Sequence, residues 1–256
     1  MNINPGVRKT IEDIGGSSSF FWRAASSWFK PPYEWNEFIK QCYFIGYKSL
    51  PLIGLTGFIM GLVITMQLRP AMIDYGAEAQ IPEIVGIAII REIGPVITAL
   101  IFAGKIGSSI GAELASMKVT EQIDAMEVSG TNPFKYLVIT RIFATTLMLP
   151  ILVLISDAIS LYGSFLGVNI NGHIGLKLFT NQVIDSLSFS DFIPAIVKSF
   201  FFGMAVGVIG CYMGYTSSKG TEGVGKSANS AVVTSSIVIF IIDLIAVQVT
   251  ALLGYN

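Results

Sequence analysis

Five long apolar runs constrain the fold of this chain more than any other feature of its sequence. The runs cover residues 45–67, 84–112, 137–168, 193–215 and 231–253. Each comes close to or exceeds the roughly 20 residues that a helix needs to cross the hydrocarbon core of a bilayer. Hydrophobic residues make up 52% of the chain and charged residues only 13%, a balance typical of membrane proteins. The sequence therefore predicts an all-α, polytopic membrane protein with five transmembrane helices.

The segment before the first run has the pattern of a helix that lies in the membrane surface. Its apolar residues recur at helical spacing and its polar residues occupy the other faces. The apolar set is Trp35, Phe38, Ile39, Cys42 and Tyr43, and the polar set is Glu37, Lys40, Gln41 and Lys48. Such an amphipathic helix can lie among the lipid headgroups, although a soluble surface helix would show the same pattern. We assign residues 1–44 to a cytoplasmic N-terminal segment with this interfacial helix, and expect no cleaved signal peptide.

An unusually polar segment separates the second and third runs. Residues 119–130 alternate apolar and polar positions in a way that suits a short helix at the membrane surface. The apolar positions are Ile123, Met126 and Val128, and the polar ones are Glu121, Gln122, Asp124 and Glu127. Gly130 can end this helix in a left-handed conformation, and Asn132-Pro133 prevents its continuation. The alternative interpretation is an ordinary solvated loop between two spans.

The distribution of basic residues predicts the orientation of the spans. One set of segments carries most of them: Arg8, Lys9, Arg23, Lys30, Lys40, Lys48, Lys118, Lys135, Arg141, Lys219 and Lys226. The opposite loops carry only Arg69 and Lys177. Because cytoplasmic loops are enriched in Lys and Arg, the N-terminus and the polar segment are expected in the cytoplasm and the C-terminus outside.

Four charged residues are predicted to lie inside the spans. Arg91 and Glu92 lie in the second run, Lys198 in the fourth and Asp243 in the fifth. Charges in hydrocarbon are costly, so such residues mark a functional site by default. The four have no net charge and can satisfy one another around a polar cavity. A purely structural ion-pair network is the other interpretation.

Patterns that suggest catalysis, metal binding or nucleotide binding fail in context. Residues 220–227 read GTEGVGKS, the literal form of a phosphate-binding loop. That loop requires a strand before it and an α/β domain around it, so we interpret this stretch as a tight turn between spans. His173 is the only histidine and is expected at the surface, while Cys42 and Cys211 have no metal-ligand spacing. No catalytic residue and no metal site are predicted, and the near-neutral net charge gives no indication of nucleic-acid binding.

The region 91–141 resembles the signature of the MlaE/YrbE family, the permease subunits of ABC systems that move phospholipids and other lipids. The matching residues are Arg91-Glu92-Ile93-Gly94-Pro95, Ala103-Gly104, Gly107, Ala112-Glu113, Thr120 to Met126, Asn132-Pro133 and Arg141. The similarity extends from about Trp35 to the C-terminus. One departure is Thr140, where the family often has proline before the arginine. The resemblance makes residues 45–256 an MlaE-type permease domain.

The resemblance implies a function and a set of partners. The chain would be a non-catalytic permease that forms a homodimer in the bacterial inner membrane and moves phospholipid between the inner and outer membranes, maintaining outer-membrane lipid asymmetry. A separate MlaF-like ATPase would bind ATP and Mg²⁺, so this chain would need no cofactor of its own. Further partners would be an MlaD-like periplasmic protein with an MCE domain and, in some systems, an MlaB-like STAS-domain protein.

The resemblance also implies roles for particular residues. Glu121, Gln122, Asp124 and Glu127 would lie on a coupling helix that contacts the ATPase. Arg91, Glu92, Lys198 and Asp243 would line the substrate cavity, with Leu62 and Met66 as part of its apolar wall. Two alternatives remain open at this point: an ion-coupled secondary transporter that uses intramembrane carboxylates such as Glu92 and Asp243, and a membrane-embedded enzyme acting on lipid.

Overall fold

The computed structural model describes residues 15–17, 19–26, 34–170, 172, 174–218 and 220–252. His173 and four of the basic residues used to predict orientation, Arg8, Lys9, Lys30 and Lys219, lie outside the described residues. The described part is helical almost throughout, and none of its residues forms a strand. The prediction of an all-α fold is therefore confirmed.

In the described residues after position 34, ten α-helices follow one another. They are α1 (Trp35–Ile45), α2 (Leu50–Asp74), α3 (Ile81–Ala88), α4 (Gly94–Phe102), α5 (Ser108–Val119), α6 (Gln122–Val128), α7 (Thr140–Asn169), α8 (Leu176–Ser186), α9 (Phe189–Tyr215) and α10 (Thr221–Leu252). Short 3₁₀ turns occur at Tyr47–Ser49 and Glu78–Gln80, and π-helical turns at Ile89–Ile93, Ala103–Gly107 and Phe134–Ile139. Within the part of the chain that the structure describes, five continuous stretches are long and apolar enough to cross a membrane: Trp35–Asp74, Glu78–Val119, Phe134–Asn169, Phe189–Tyr215 and Thr221–Leu252. These are spans 1 to 5, as many as the sequence predicts.

Span 3 lies at the centre of the bundle. Its helix α7 packs against α2 on one side and against α9 on the other, while α9 also contacts α5 and α10. Glycines let spans 1 and 3 approach closely. A Cβ atom added at Gly61 would lie 1.8 Å from the Ser160 carbonyl oxygen, and one added at Gly163 would lie 2.3 Å from the Phe58 carbonyl oxygen. Small residues of this kind let helix backbones approach closely in lipid.

The helix α1 exposes apolar residues and buries polar ones. An amphipathic helix on the surface of a soluble protein would do the reverse. Trp35, Ile39 and Tyr43 are exposed, whereas Glu37 and Gln41 are buried against the bundle. The Glu37 carboxylate accepts hydrogen bonds from the Gln41 amide at 2.7 Å and from the Tyr136 hydroxyl at 3.1 Å. Hydrocarbon favours apolar side chains on the outside, and polar groups find their partners inside the protein.

Span 5 begins about ten residues before the start of its apolar run. The interpretation of residues 220–227 as a tight turn is wrong, because the helix α10 starts at Thr221 and only Gly220, with φ of +97°, makes the turn. A membrane helix can continue beyond the bilayer into polar sequence. Gly223 allows the preceding loop to lie against the first turn of α10, since a Cβ atom there would be 2.2 Å from the Ser218 carbonyl oxygen.

Span 2 is a long helical stretch interrupted by two π-turns. At the first, the Gly94 N–H donates to the Ile89 carbonyl oxygen, one residue farther back than in an α-helix. Pro95 follows directly and has no N–H to donate to the preceding turn. The π-turn therefore accommodates the proline while the helix continues. Arg91 and Glu92 lie within this turn.

The two ends of the bundle differ. One end, which we call the hinge end, carries α6, the helix that joins spans 2 and 3. Residues 15–17 and 19–26 lie at the same end, since the Phe20 ring lies 5.1 Å from the Phe134 ring. Residues 15–17 and 19–26 and the polar segment thus share one end of the bundle. The opposite end carries α8, an amphipathic helix not predicted from the sequence, which packs Phe179 and Val183 near α3.

Candidate functional site

Lys198 joins two of the predicted intramembrane carboxylates. Its Nζ atom lies 2.6 Å from Glu92 Oε2 and 2.9 Å from Asp243 Oδ1, and it donates to both. The three side chains come from spans 2, 4 and 5. Lys198 is the tenth residue of α9, so it lies about 14 Å along the helix from Phe189, roughly halfway into the hydrocarbon of a membrane. We call Glu92, Lys198 and Asp243 the charged triad.

Arg91 does not join the triad, contrary to the expectation that the four charges satisfy one another. Its Nη1 atom lies 3.6 Å from Asp191 Oδ1, in the first turn of α9. Asp191 also accepts hydrogen bonds from the backbone and the hydroxyl of Ser188, and so caps that helix. Asp191 and Lys198 are seven residues apart on one face of α9, so the π-turn directs Arg91 and Glu92 to two successive positions on the same helix.

An apolar groove runs along spans 4 and 5 beside the triad. It has a volume of about 440 Å³, within the range of roughly 300–1,000 Å³ typical of ligand sites. Its walls are Ile193, Pro194, Val197 and Phe201 from α9 and Ile242, Ile245, Ala246 and Val249 from α10. Lys198 is the charged residue in this lining, and it also borders a small polar cleft that contains Arg91, Glu92 and Asp191. Apolar surface and charge therefore meet at one point.

Leu62 and Met66 lie elsewhere in the chain. Both belong to α2, whose main neighbour is α7, not α9 or α10. Met66 lines a second cleft of about 390 Å³ near Arg69 and Ile170, towards the end of the bundle opposite to α6. Within one chain, the structure therefore does not bring these two predicted wall residues to the triad.

Asp157 is a site residue that sequence reasoning missed. It is 6% exposed in the middle of α7, and in the part of the chain that the structure describes its Oδ1 atom has no hydrogen-bond partner. A Cβ atom added at Gly94, next to the π-turn, would lie 1.9 Å from that oxygen. Its carboxyl group also interacts electrostatically with Lys198. The available signal was a lone acidic residue in the apolar run of span 3.

The helix α6 presents a polar surface at the hinge end. Glu121, Gln122, Asp124 and Glu127 are all exposed, while Ile123 is buried and attaches the helix to the bundle. Val128, predicted on the apolar face, is 90% exposed. The helix ends as predicted: Gly130 has φ of +82°, and the Thr131 N–H donates to the Met126 carbonyl oxygen at 3.0 Å.

The Glu121 backbone fixes where α6 begins. This residue has a left-handed conformation, with φ of +58°, which non-glycine residues seldom adopt. The Lys118 ammonium lies 3.4 Å from Asp124 across the same turn, but both side chains are exposed and such pairs contribute little. An exposed, acidic, firmly anchored helix is suited to binding another protein.

Comparison with known proteins matches this architecture to a family. A sequence model of the family described as "Permease MlaE" matches residues 38–249. A probable ABC transporter permease protein of Rickettsia typhi is 40% identical over 233 residues, covering 91% of this chain and 90% of its own length. Proteins with the same description from Pyropia yezoensis and Synechocystis are 38% and 36% identical, over 93% and 79% of this chain and 91% and 77% of their own lengths.

Proposed function

This chain is an ABC transporter permease of the MlaE family, and from that premise we propose that it moves phospholipids between the inner and outer membranes, maintaining outer-membrane lipid asymmetry. The observation that carries the proposal is the position of Lys198, the charged residue in the lining of an apolar groove of about 440 Å³. A phospholipid has the same division into an apolar and a charged part.

The chemistry of the groove suits a phosphate diester with acyl chains. An ammonium group has three N–H donors, and Lys198 uses two of them for Glu92 and Asp243. The third can donate to a lipid phosphate, while the acyl chains lie along the apolar lining of spans 4 and 5. Charge-assisted hydrogen bonds of this kind are about twice as strong as neutral ones.

A second copy of the chain would complete the cavity. The outer face of span 5 exposes a broad set of apolar side chains, including Phe240, Leu244 and Ile245. In a homodimer, residues of span 1 such as Leu62 and Met66 would reach the substrate only if the partner copy brings them there. We propose that dimerisation brings Leu62 and Met66 of one copy to the charged residues of the other, so that both predicted groups line one cavity.

ATP hydrolysis would act through α6. An ABC permease works with an ATPase subunit, and the exposed residues Glu121, Gln122, Asp124 and Glu127 provide a surface for it. An MlaF-like ATPase would drive transport by binding two conformations of the permease with different free energies. MlaD-like and MlaB-like proteins would complete the assembly at the membrane exterior and on the ATPase.

The proposed setting is the bacterial inner membrane, with the hinge end in the cytoplasm. Five spans place the end of α10 at the end opposite to α6, so the C-terminus would be periplasmic. The concentration of basic residues near the hinge end supports this orientation.

The test is ATP-dependent transfer of labelled phospholipid in proteoliposomes that contain the permease and its ATPase. We expect Glu121→Lys/Asp124→Lys to abolish both transfer and ATPase binding, because two positive charges replace two negative ones on the docking surface. The matched control is Glu83→Lys/Asp185→Lys, which reverses two exposed carboxylates at the opposite end. This control should leave both activities unchanged, since the assay contains no periplasmic partner.

Two results would contradict the proposal. Transfer that persists without the ATPase would indicate a carrier driven through the buried carboxylates. If other lipids stimulate ATP hydrolysis but phospholipid is never transferred, the chain is still a permease and phospholipid is not its substrate.

A further inference from the structure

A second polar cleft lies at the hinge end, between the last turn of α9 and the first turns of α10. Its volume is about 220 Å³, and hydroxyl groups dominate its polar lining. Four serines and one threonine contribute to it, together with Lys226. The charged triad lies elsewhere in the bundle, so this cleft is separate from the apolar groove.

Ser227 points to a ligand. This side chain is 7% exposed and lines the cleft. Across the described residues, neither a hydrogen bond nor any other interaction is found for its hydroxyl group. Its hydroxyl oxygen remains accessible from the cleft, so the group can donate a hydrogen bond to an acceptor bound there.

The charge around the cleft selects an anion. The helix α10 is 32 residues long, and the positive end of its dipole is directed towards the hinge end. Lys226 is exposed beside Ser227, and in the described part of the chain it forms no ion pair, not even with the exposed Glu222 one turn earlier. Backbone N–H groups, hydroxyls and one ammonium are the donors with which proteins bind phosphate.

We propose that this cleft binds a phosphate group, either the headgroup phosphate of a phospholipid in the hinge-side leaflet or a soluble phosphate ion. Nucleotide binding does not fit, although residues 220–227 spell GTEGVGKS. Residues from Thr221 onward are helical, so their backbone cannot wrap around a chain of phosphates as a loop does. The site does not depend on the proposed transport function.

The test compares full-length chain with the variant Lys226→Gln/Ser227→Ala. In one arm, inorganic phosphate is titrated onto the chain in detergent micelles and binding is followed by ³¹P NMR. In the other, the chain is released from phosphatidylglycerol nanodiscs and the retained lipids are counted by native mass spectrometry. The matched control is Lys177→Gln/Ser236→Ala, an exposed lysine and a serine whose hydroxyl bonds within α10 to the Val232 carbonyl oxygen.

We expect the double variant to weaken phosphate binding about tenfold, or to lose one retained lipid, while the control behaves as wild type. A loss of lipid identifies the headgroup as the source of the phosphate, and a loss confined to the first arm identifies a soluble ion. Equal behaviour of wild type and double variant in both arms overturns the proposal, as does an equal loss in the control. If the double variant does not fold, Lys226→Glu alone replaces an exposed side chain and decides the question by the same readouts.

Discussion

Replacing Lys198 with methionine should destabilise the bundle, because it leaves two carboxylates facing each other without their cation. Lys198 is 4% exposed and donates two charge-assisted hydrogen bonds, each contributing roughly 1.5–3 kcal/mol. Removing one partner from a buried ion pair costs about 3–5 kcal/mol. Glu92 and Asp243 are 40% and 20% exposed and can be partly solvated, so we expect the low end of that range, about 3 kcal/mol.

A series of variants separates the structural from the transport role of the triad. Lys198→Met should lower the free energy of unfolding, measured by denaturant titration in micelles. The neutral triple variant Glu92→Gln/Lys198→Met/Asp243→Asn should recover most of the loss, since it leaves no charge of the triad unpaired and neutral replacements of buried ion networks are often tolerated. Phospholipid transfer should be absent from both, because neither has an ammonium group in the lining of the groove.

The two measurements together can refute this reasoning. If the triple variant is stable and transports phospholipid as well as wild type, the triad is only a structural network. If Lys198→Met is as stable as wild type, the hydrogen bonds at 2.6 and 2.9 Å do not contribute as argued.

Four further substitutions test the packing of the bundle, each by denaturant unfolding in micelles. Gly61→Ala should cost about 3 kcal/mol, because its Cβ atom would lie 1.8 Å from a backbone oxygen of span 3, whereas Gly104→Ala meets no atom within 4 Å and should stabilise by about 1 kcal/mol at most. Gly94→Ala places its Cβ atom 1.9 Å from Asp157 Oδ1, so it should destabilise the chain and abolish phospholipid transfer. Normal transfer by this variant would show that the π-turn is not part of the site. Arg141→Met removes a 2% exposed guanidinium with two hydrogen bonds and should cost about 3 kcal/mol, and an unchanged unfolding midpoint would contradict this.

The features that the sequence predicts correctly depend on length or on a single local conformation. Each span follows from an apolar run long enough to cross a bilayer. The end of α6 follows from Gly130, because few residues other than glycine adopt its φ of +82°. Arg91, Glu92, Lys198 and Asp243 could be assigned to the spans because they lie within apolar runs. The cost of a charge in hydrocarbon then marked them as a site, and Glu92 and Asp243 do meet at Lys198.

The features that it does not predict depend on contacts between distant segments. Glu37 and Gln41 are buried because α1 packs on span 3, a fact that no local pattern contains. Residues 220–227 contain glycines that suggest a turn, yet Gly223 serves the close approach of Ser218 to a helix. Asp157 becomes conspicuous only when its neighbours are known to offer no hydrogen bond.

Span 2 shows why the charged site could not be located from helical periodicity. Its buried positions step by four residues, then by five across each π-turn: Ile81, Val85, Ile89, then Gly94, Thr98, Phe102, then Gly107, Gly111, Ala115. An uninterrupted α-helix with this spacing would rotate its buried face away from the bundle, since 3.6 residues complete a turn. The two additional residues restore the phase, and the first π-turn contains Arg91 and Glu92. The same irregularity that keeps span 2 packed over its whole length therefore directs Glu92 to Lys198 and Arg91 to Asp191. Because π-turns inside α-helices are frequent at functional sites, the helix geometry supports placing the function of this bundle at the triad.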